Sequence, residues 1–203
     1  MSLLNKNNLE VCKIASKSDT RPELAGVYIT DKLVCATDSF RLLEMTLPAD
    51  VKAEDYPKIE GKTAMRGYKP FLVNAKYLLK NIKLGVNKNM PILDNLAISH
   101  IDENKVEVLV GKDTDQHLLC EPRWLPRITS EQFPDYAKIF PAGNPVAEVE
   151  VNAEYLAEIL EVMGKLDSLK SVRIKFYGDN QPLALEAKGN NQEARGLLMP
   201  LRK

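Results

Sequence analysis

The sequence holds little of what disulfide frameworks, metal sites and membrane spans are made from. Three cysteines, Cys12, Cys35 and Cys120, lie far apart among 203 residues, with no CxxC and no histidine pair at ligand spacing. A disulfide scaffold and a structural zinc site are thereby excluded, and the thiols read as reduced core filler in a cytoplasmic protein. Only two histidines occur, His100 and His117, both inside predicted strands where a structural or surface role is expected. No P-loop, GxSxG, HExxH or GxGxxG is present. Asp113 and Asp115 in KDTDQH have the spacing of a turn and no further ligands nearby, and Thr37-Asp38-Ser39 has no neighbouring histidine to serve as base. Neither a metal nor another cofactor is expected, and an enzyme is unsupported. Missing too is any run near the ~18 apolar residues a membrane helix needs, so no membrane association is expected. Finally, 28 basic residues balance 28 acidic ones, which argues against a uniformly basic nucleic-acid glove but not against a local patch.

What is present is a globular composition, 44% hydrophobic and 28% charged, in a length that suits one large domain or a domain and a half. A short apolar stretch followed by Asn, three residues and Leu occurs three times: SLLNKNNL at 2–9, FLVNAKYL at 71–78 and VEVNAEYL at 149–156. The anchors Asn5, Asn74 and Asn152 stand 69 and 78 residues apart. In each, the apolar residues end a strand, Asn caps the next helix, and Leu is the first core contact. Ordinary strand-to-helix junctions of an α+β fold are the alternative. Each predicted helix is followed by three runs with strand periodicity, GVYITD, KLVCATDS and FRLLEMTLP in the first case. The second has DNLAISHID, KVEVLVGKD and QHLLCEPRW, and the third SVRIKFYGD, QPLALEAKG and ARGLLMPLR. Asp31-Lys32, Asp102-Glu103-Asn104 and Gly178-Asp179-Asn180 supply hairpin turns. The unit is β-α-β-β-β, used three times.

The helices carry core stripes, Leu156, Ile159, Leu160 and Met163 in the third and Leu78 with Ile82 in the second. Their polar faces differ in charge. Lys76, Lys80 and Lys83 are spaced to share one helix face, and Lys6, Lys13 and Lys17 another. Residues 5–21 carry a net +2, 74–88 a net +4 and 152–170 a net −2. A lysine stripe on one helix is ordinarily a solvated face. On two helices of a neutral protein it fits sequence-blind contact with phosphates, by Lys6, Lys13, Lys17, Arg21, Lys76, Lys80, Lys83 and Lys88. No zinc finger or RNP-type aromatic motif accompanies them, so base readout is not expected.

Three stretches carry a resemblance. CATDSFRLLEM at 35–45 resembles the A-T-D-G-H-R-L signature of the bacterial sliding clamp family, the beta subunit of DNA polymerase III. QFPDYAKIFP at 132–141 is similar to that family's F-P-D-Y-x-x-x-x-P segment, and GLLMPLRK at 196–203 to its C-terminal V-M-P-M-R-L, in the family's order. The resemblance implies the DNA clamp fold, an α+β architecture with sheets outside and helices on one face toward duplex DNA. Residues 1–127 would form a complete clamp-like domain of two halves (about 1–48 and 69–127), 128–145 a linker, and 146–203 a third half. It implies a partner-peptide pocket of Thr37, Ser39, Phe40, Arg41 and Leu42, with Pro134, Lys138 and Ile139, and with Leu197, Leu198, Met199, Pro200, Leu201 and Arg202. The implied function is a non-enzymatic processivity factor holding double-stranded DNA and docking DNA polymerase and repair proteins. A non-encircling interaction module or regulator that binds clamp-partner peptides is the alternative. Ser39-Phe40 stands where the signature has Gly-His, a departure that reshapes the groove. Two third halves pairing across a twofold would give a homo-oligomer, a dimer or a ring-closing tetramer.

Overall fold

The computed structural model describes residues 3–18, 20–58, 61–85, 90–113, 118–130, 132–141, 143–178, 181–189 and 192–201, without the side chains of 112, 113 and 118–120. Lys88, Asp115, His117, Asp179, Asn180 and Arg202 therefore lie outside the described residues, as do the side chains of Asp113 and Cys120. The chain forms two compact units, Met1–Ala137 and Lys138–Lys203.

The first unit holds β1 (Leu3–Leu4), α1 (Lys6–Glu10), the single turn α2 (Pro22–Ala25), β2 (Gly26–Ile29), β3 (Leu33–Thr37), β4 (Leu42–Thr46), β5 (Phe71–Asn74), α3 (Ala75–Asn81), β6 (Leu96–Ile101), β7 (Lys105–Asp113) and β8 (Leu118–Ile128). All eight strands join one antiparallel sheet in the order β1-β6-β7-β8-β5-β2-β3-β4. The strand leading each copy is exchanged. β1 pairs with β6 of the second copy (Leu4 opposite Leu96), and β5 pairs with β2 of the first (Val73 opposite Val27, Phe71 opposite Ile29). On its other side β5 meets the end of its own copy's β8, Leu72 opposite Ile128.

Alternation along these strands sorts the apolar residues by face. Leu4, Val27, Ile29, Phe71, Val73, Leu96, Ile98, Val108 and Val110 point to one side, where Leu9, Val11 and Cys12 of the first copy and Ala75, Leu78 and Ile82 of the second cover them. Both helices thus lie on one face of the sheet. On the opposite face, Leu3, Ala97 and Leu109 are covered by Tyr56 and Leu93 from 3-10 turns at Ala53–Asp55 and Pro91–Asp94. Full burial of each such side chain contributes about 1.5–3 kcal/mol before the entropy of ordering it is counted.

All three anchor asparagines cap. Asn5 accepts from the N–H of Asn8 at 3.0 Å and Asn8 returns the bond, Asn74 accepts from Tyr77 N–H at 2.9 Å, and Asn152 from Glu154 and Tyr155 N–H at 2.9 and 3.2 Å. Asn74→Ala is expected to cost about 1 kcal/mol in urea denaturation and Asn74→Asp to cost little, because only the side-chain acceptor is needed.

The second unit contains α4 (Ala153–Met163) and a three-stranded sheet of β9 (Arg173–Lys175), β10 (Leu183–Lys188) and β11 (Glu193–Leu198) in the order β11-β10-β9. Its core is Met163, Leu183, Leu185, Ala187 and Leu198, with Leu156, Ile159 and Leu160 against it, as the helical spacing required. The third copy departs from the expected pattern in its lead segment: 149–151 forms no strand, and is tied by the Leu201 N–H to the Glu150 carbonyl at 2.8 Å. Among the described residues no helix is long and apolar enough to cross a membrane.

Candidate nucleic-acid interface and peptide-docking loop

The helices are shorter than the lysine spacing requires. Asn7, Asn8, Val11 and Cys12 are weak helix formers. After Glu10 the chain tightens into a 3-10 turn, Val11–Ile14, and leaves it at Ala15 (ψ 152°). Lys17 follows in a turn held by the Ser18 N–H to the Ser16 hydroxyl at 3.1 Å. The expected shared helix face of Lys6, Lys13 and Lys17 is therefore not formed. Likewise Ile82 is extended (φ −112°, ψ 120°), which puts Lys83 beyond the end of α3 and leaves only Lys76 and Lys80 on that helix.

Tertiary structure nevertheless gathers four of these lysines. A shallow groove of about 750 Å³ runs between the 3-10 turn of the first copy and α3 of the second, lined by Lys13, Lys17, Lys76 and Lys80 over a floor of Cys12, Ala15, Ala25 and Ala75. Among the described residues no carboxylate lines it. Lys13 is ion-paired to Glu10, whereas Lys17, Lys76 and Lys80 make no ion pair among the described residues. Lys6 and Lys83 are exposed and lie outside the groove lining. Arg21 points elsewhere: its guanidinium bonds Glu23 at 2.9 Å and the Ser39 hydroxyl at 3.4 Å. The small residues of the floor let backbone and lysine stems approach closely, and the lysine heads form a positive strip along the groove. α4 has the opposite sign, with Glu154, Glu158 and Glu161 on its exposed side.

The 37–42 segment is the turn joining β3 to β4. Thr37 is buried and its hydroxyl spans the turn, donating to the Arg41 carbonyl at 2.8 Å and accepting from the Ser39 N–H at 3.2 Å. Asp38 accepts from the N–H groups of Phe40 and Arg41, both at 3.0 Å, and from the Arg41 guanidinium at 3.0 Å. Desolvation opposes the charge on Asp38, but these bonds and the Arg41 charge hold its carboxyl below the usual range. Ser39 takes φ 79°, a left-handed conformation that costs a non-glycine residue about 1–2 kcal/mol. That geometry explains the glycine of the resembled signature. The constrained turn leaves Phe40 at its tip 96% exposed.

Pro134 belongs to the first unit, beside an aromatic cluster in which Phe133 stacks on Tyr28 (4.9 Å between centroids, planes within 3°) and Tyr136 packs edge-on to both. Burial, followed by the charges of Cys35 and Glu44, pushes the Tyr136 phenol up to about 12. This cluster fixes the 132–137 chain on β2, and Tyr28 was not a site residue by sequence because its strand reads only as core. Lys138, Ile139 and 197–201 belong to the second unit. There Leu197, Met199 and Leu201 are exposed, Ile139 is exposed, Pro200 is half-buried, and Leu198 is buried in the core. Leu198 is thus a packing residue, its side chain on the opposite face from Leu197.

Cys12 and Cys35 are buried free thiols, each pushed up to about 12 chiefly by that burial. His100 packs edge-on to Trp124 at 5.9 Å, with the Lys105 ammonium 4.3 Å from the indole centroid, a surface arrangement. Among the described residues no three His, Cys, Asp or Glu converge as a metal site would require.

Compared by sequence, the chain matches no family model and no curated protein. Compared by structure, it is similar to a sliding clamp (DNA polymerase III subunit beta) from Pseudomonas aeruginosa, at 17% identity and TM-score 0.62 over 98% of this chain and 49% of that one. It is similar also to the beta sliding clamp of C. crescentus, at 16% identity and TM-score 0.64 over 98% and 50%. A PCNA2-PCNA3 complex from Sulfolobus tokodaii aligns at 12% identity and TM-score 0.50 over 97% and 71%. The chain has the clamp fold, and it spans about half the length of the bacterial clamps it matches.

Proposed function

We propose that the chain is a non-enzymatic, clamp-like processivity factor that holds duplex DNA without reading its sequence and docks polymerase and repair partners through short peptides. The observation that carries this reading is the convergence of lysines from two repeat copies on one groove with, among the described residues, no carboxylate in its lining. Lys17, Lys76 and Lys80 are its principal phosphate contacts, Lys13 lines the same groove but shares its charge with Glu10, and Lys6, Lys83 and Lys88 add further positive charge. Docking falls to the 37–42 turn, where Phe40 and Arg41 present an apolar side chain and a cation on a rigid frame, with Pro134 of the same unit; Lys138, Ile139 and the exposed tail residues are the second unit's own candidates. The working form is a homo-oligomer, a dimer or a ring-closing tetramer, in the cytoplasm.

The test is topological. Protein placed on nicked circular duplex DNA is expected to stay bound through a low-salt wash and to be lost when the circle is linearised, because an encircling protein leaves only by a free end. Binding should fall with salt at a slope of about −0.9 for each phosphate neutralised, near −3 per chain. Equal retention on circular and linear DNA, with binding of a clamp-motif peptide intact, would replace this reading by the non-encircling interaction module.

A further inference from the structure

The first and second copies complete each other by exchanging lead strands: β1 joins the edge of β6, and β5 joins the edge of β2. The third copy has the same parts, and both of its exchange positions are unpaired among the described residues. β9, the equivalent of β2 and β6, is the outer strand of its sheet. Its lead segment 149–151 is met on one side by Leu201, as β5 is met by the end of β8, and among the described residues has no strand partner on the other.

We propose that a second copy of this chain fills both positions at once, the 149–151 segment of each protomer adding antiparallel to β9 of the other about a twofold axis. The inference deepens the oligomeric part of the proposed function and rests on it for its biological role.

Donor and acceptor sit in the same copy, so one twofold operation satisfies both, which is the self-complementarity an isologous interface requires. Their side chains also match by face. Val151 and Val172 pack against the third copy's core, and Ile174 stands opposite Leu185 on that face. Antiparallel addition therefore sets Val149 and Val151 beside Ile174 and Phe176, and Glu148 and Glu150 beside Arg173 and Lys175. The outer face of the sheet is short of negative charge. Glu186 stands opposite Arg173 on one neighbour and Arg195 on the other, and accepts from Lys175 at 2.6 Å. The Lys175 hydrogen bond, with the charges of Lys175, Arg195 and Arg173, holds the Glu186 carboxyl below its usual range. Three cations thus share one carboxylate, and the two glutamates of a partner's lead segment supply what is missing. Apolar surface remains exposed at the same edge: Ile174, Phe176 and Tyr177 are 37%, 56% and 63% accessible. Charges on an edge strand deter indiscriminate pairing, and Arg173 and Lys175 make this edge selective for an acidic strand.

The test uses the full chain in sedimentation at micromolar concentration, with circular dichroism to verify folding. Wild type is expected at twice the 22.8 kDa of one chain, or a multiple of that dimer. E148K/E150K and R173E/K175E are each expected to raise the dissociation constant of the pairing at least about a hundredfold, since each reverses charge at both symmetric junctions. An equimolar mixture of the two variants is expected to restore the dimer, because every junction of the heterodimer again joins opposite charges. A wild-type monomer, or folded variants that fail to recover on mixing, would overturn the proposal. An oligomer indifferent to both substitutions overturns the strand pairing and leaves the clamp reading standing. A charge-dependent dimer that is not retained on circular DNA overturns the clamp reading alone.

Discussion

Reversing charge at Lys17, Lys76 and Lys80 together is expected to abolish retention on duplex DNA while leaving the urea midpoint unchanged. The three side chains are exposed, line one groove and make no ion pair among the described residues, so their removal breaks no described contact of the fold. Each lysine that neutralises a phosphate displaces a condensed counterion, and replacing three with carboxylates adds repulsion to the lost release. Affinity should fall by about two to three orders of magnitude at moderate salt, equally for unrelated duplex sequences. Single alanine substitutions should each reduce the salt slope by about 1. Lys13→Ala should do less, because Glu10 already shares that charge. Lys165→Glu, in the turn that follows α4, is the control: its partner Glu161 lies 3.4 Å away on the acidic helix, and DNA affinity should not move. Unchanged affinity of the triple variant would make the groove an ordinary solvated face.

The same lysines show how far sequence reaches. That Asn5, Asn74 and Asn152 open equivalent helices was legible, because capping needs one side chain at one position and leaves a local signature. Strand runs were legible for the same reason, as was the Asp102 turn, where the carboxylate accepts from the N–H groups of Asn104 and Lys105 at 2.9 and 2.8 Å. Helix length was not. Periodicity places Lys17 and Lys83 on helix faces, but the end of α3 is decided where Ile82 turns inward to the core, and that of the first helix where Ser16 N–H bonds the Leu24 carbonyl at 2.8 Å. Both causes are tertiary. The groove itself has no linear signature, since its walls come from segments some sixty residues apart and its floor from alanines and a cysteine. Nor does the exchange of lead strands, because alternation reports which face a residue takes and says nothing of which neighbour it pairs with. The left-handed Ser39 stood in plain view as a departure from glycine, yet its meaning required the backbone angle.

Lys62→Met is expected to destabilise the first unit by about 2–3 kcal/mol at neutral pH, through the carboxylate it abandons. Glu107 on β7 is 3% exposed, and its charge is answered by the Lys62 ammonium and by the Ser99 hydroxyl, which donates at 2.7 Å. Burial works to raise the Glu107 pKa. The hydrogen bonds from Lys62 and Ser99, with the charges of Lys62 and His100, outweigh it and hold the carboxyl below its ordinary value. In the native protein this pair therefore contributes stability that is fully present above the ordinary carboxylate range and is lost as pH falls through the lowered native pKa. Without Lys62 the burial is offset only by Ser99 and His100, and the native pKa of Glu107 rises from its wild-type position. The penalty in Lys62→Met is then largest at neutral pH and lifts as Glu107 takes up a proton. The stability difference between wild type and variant should narrow steadily from pH 7 toward pH 4 in urea titrations. Glu107→Gln removes the charge without changing the shape, so adding Lys62→Met to it should cost much less than Lys62→Met alone, a coupling the double-mutant cycle reads directly. A pH-independent loss would assign the effect of Lys62 to its methylene stem packed on the sheet, and the ion pair would then be incidental to the fold that carries the lysine groove.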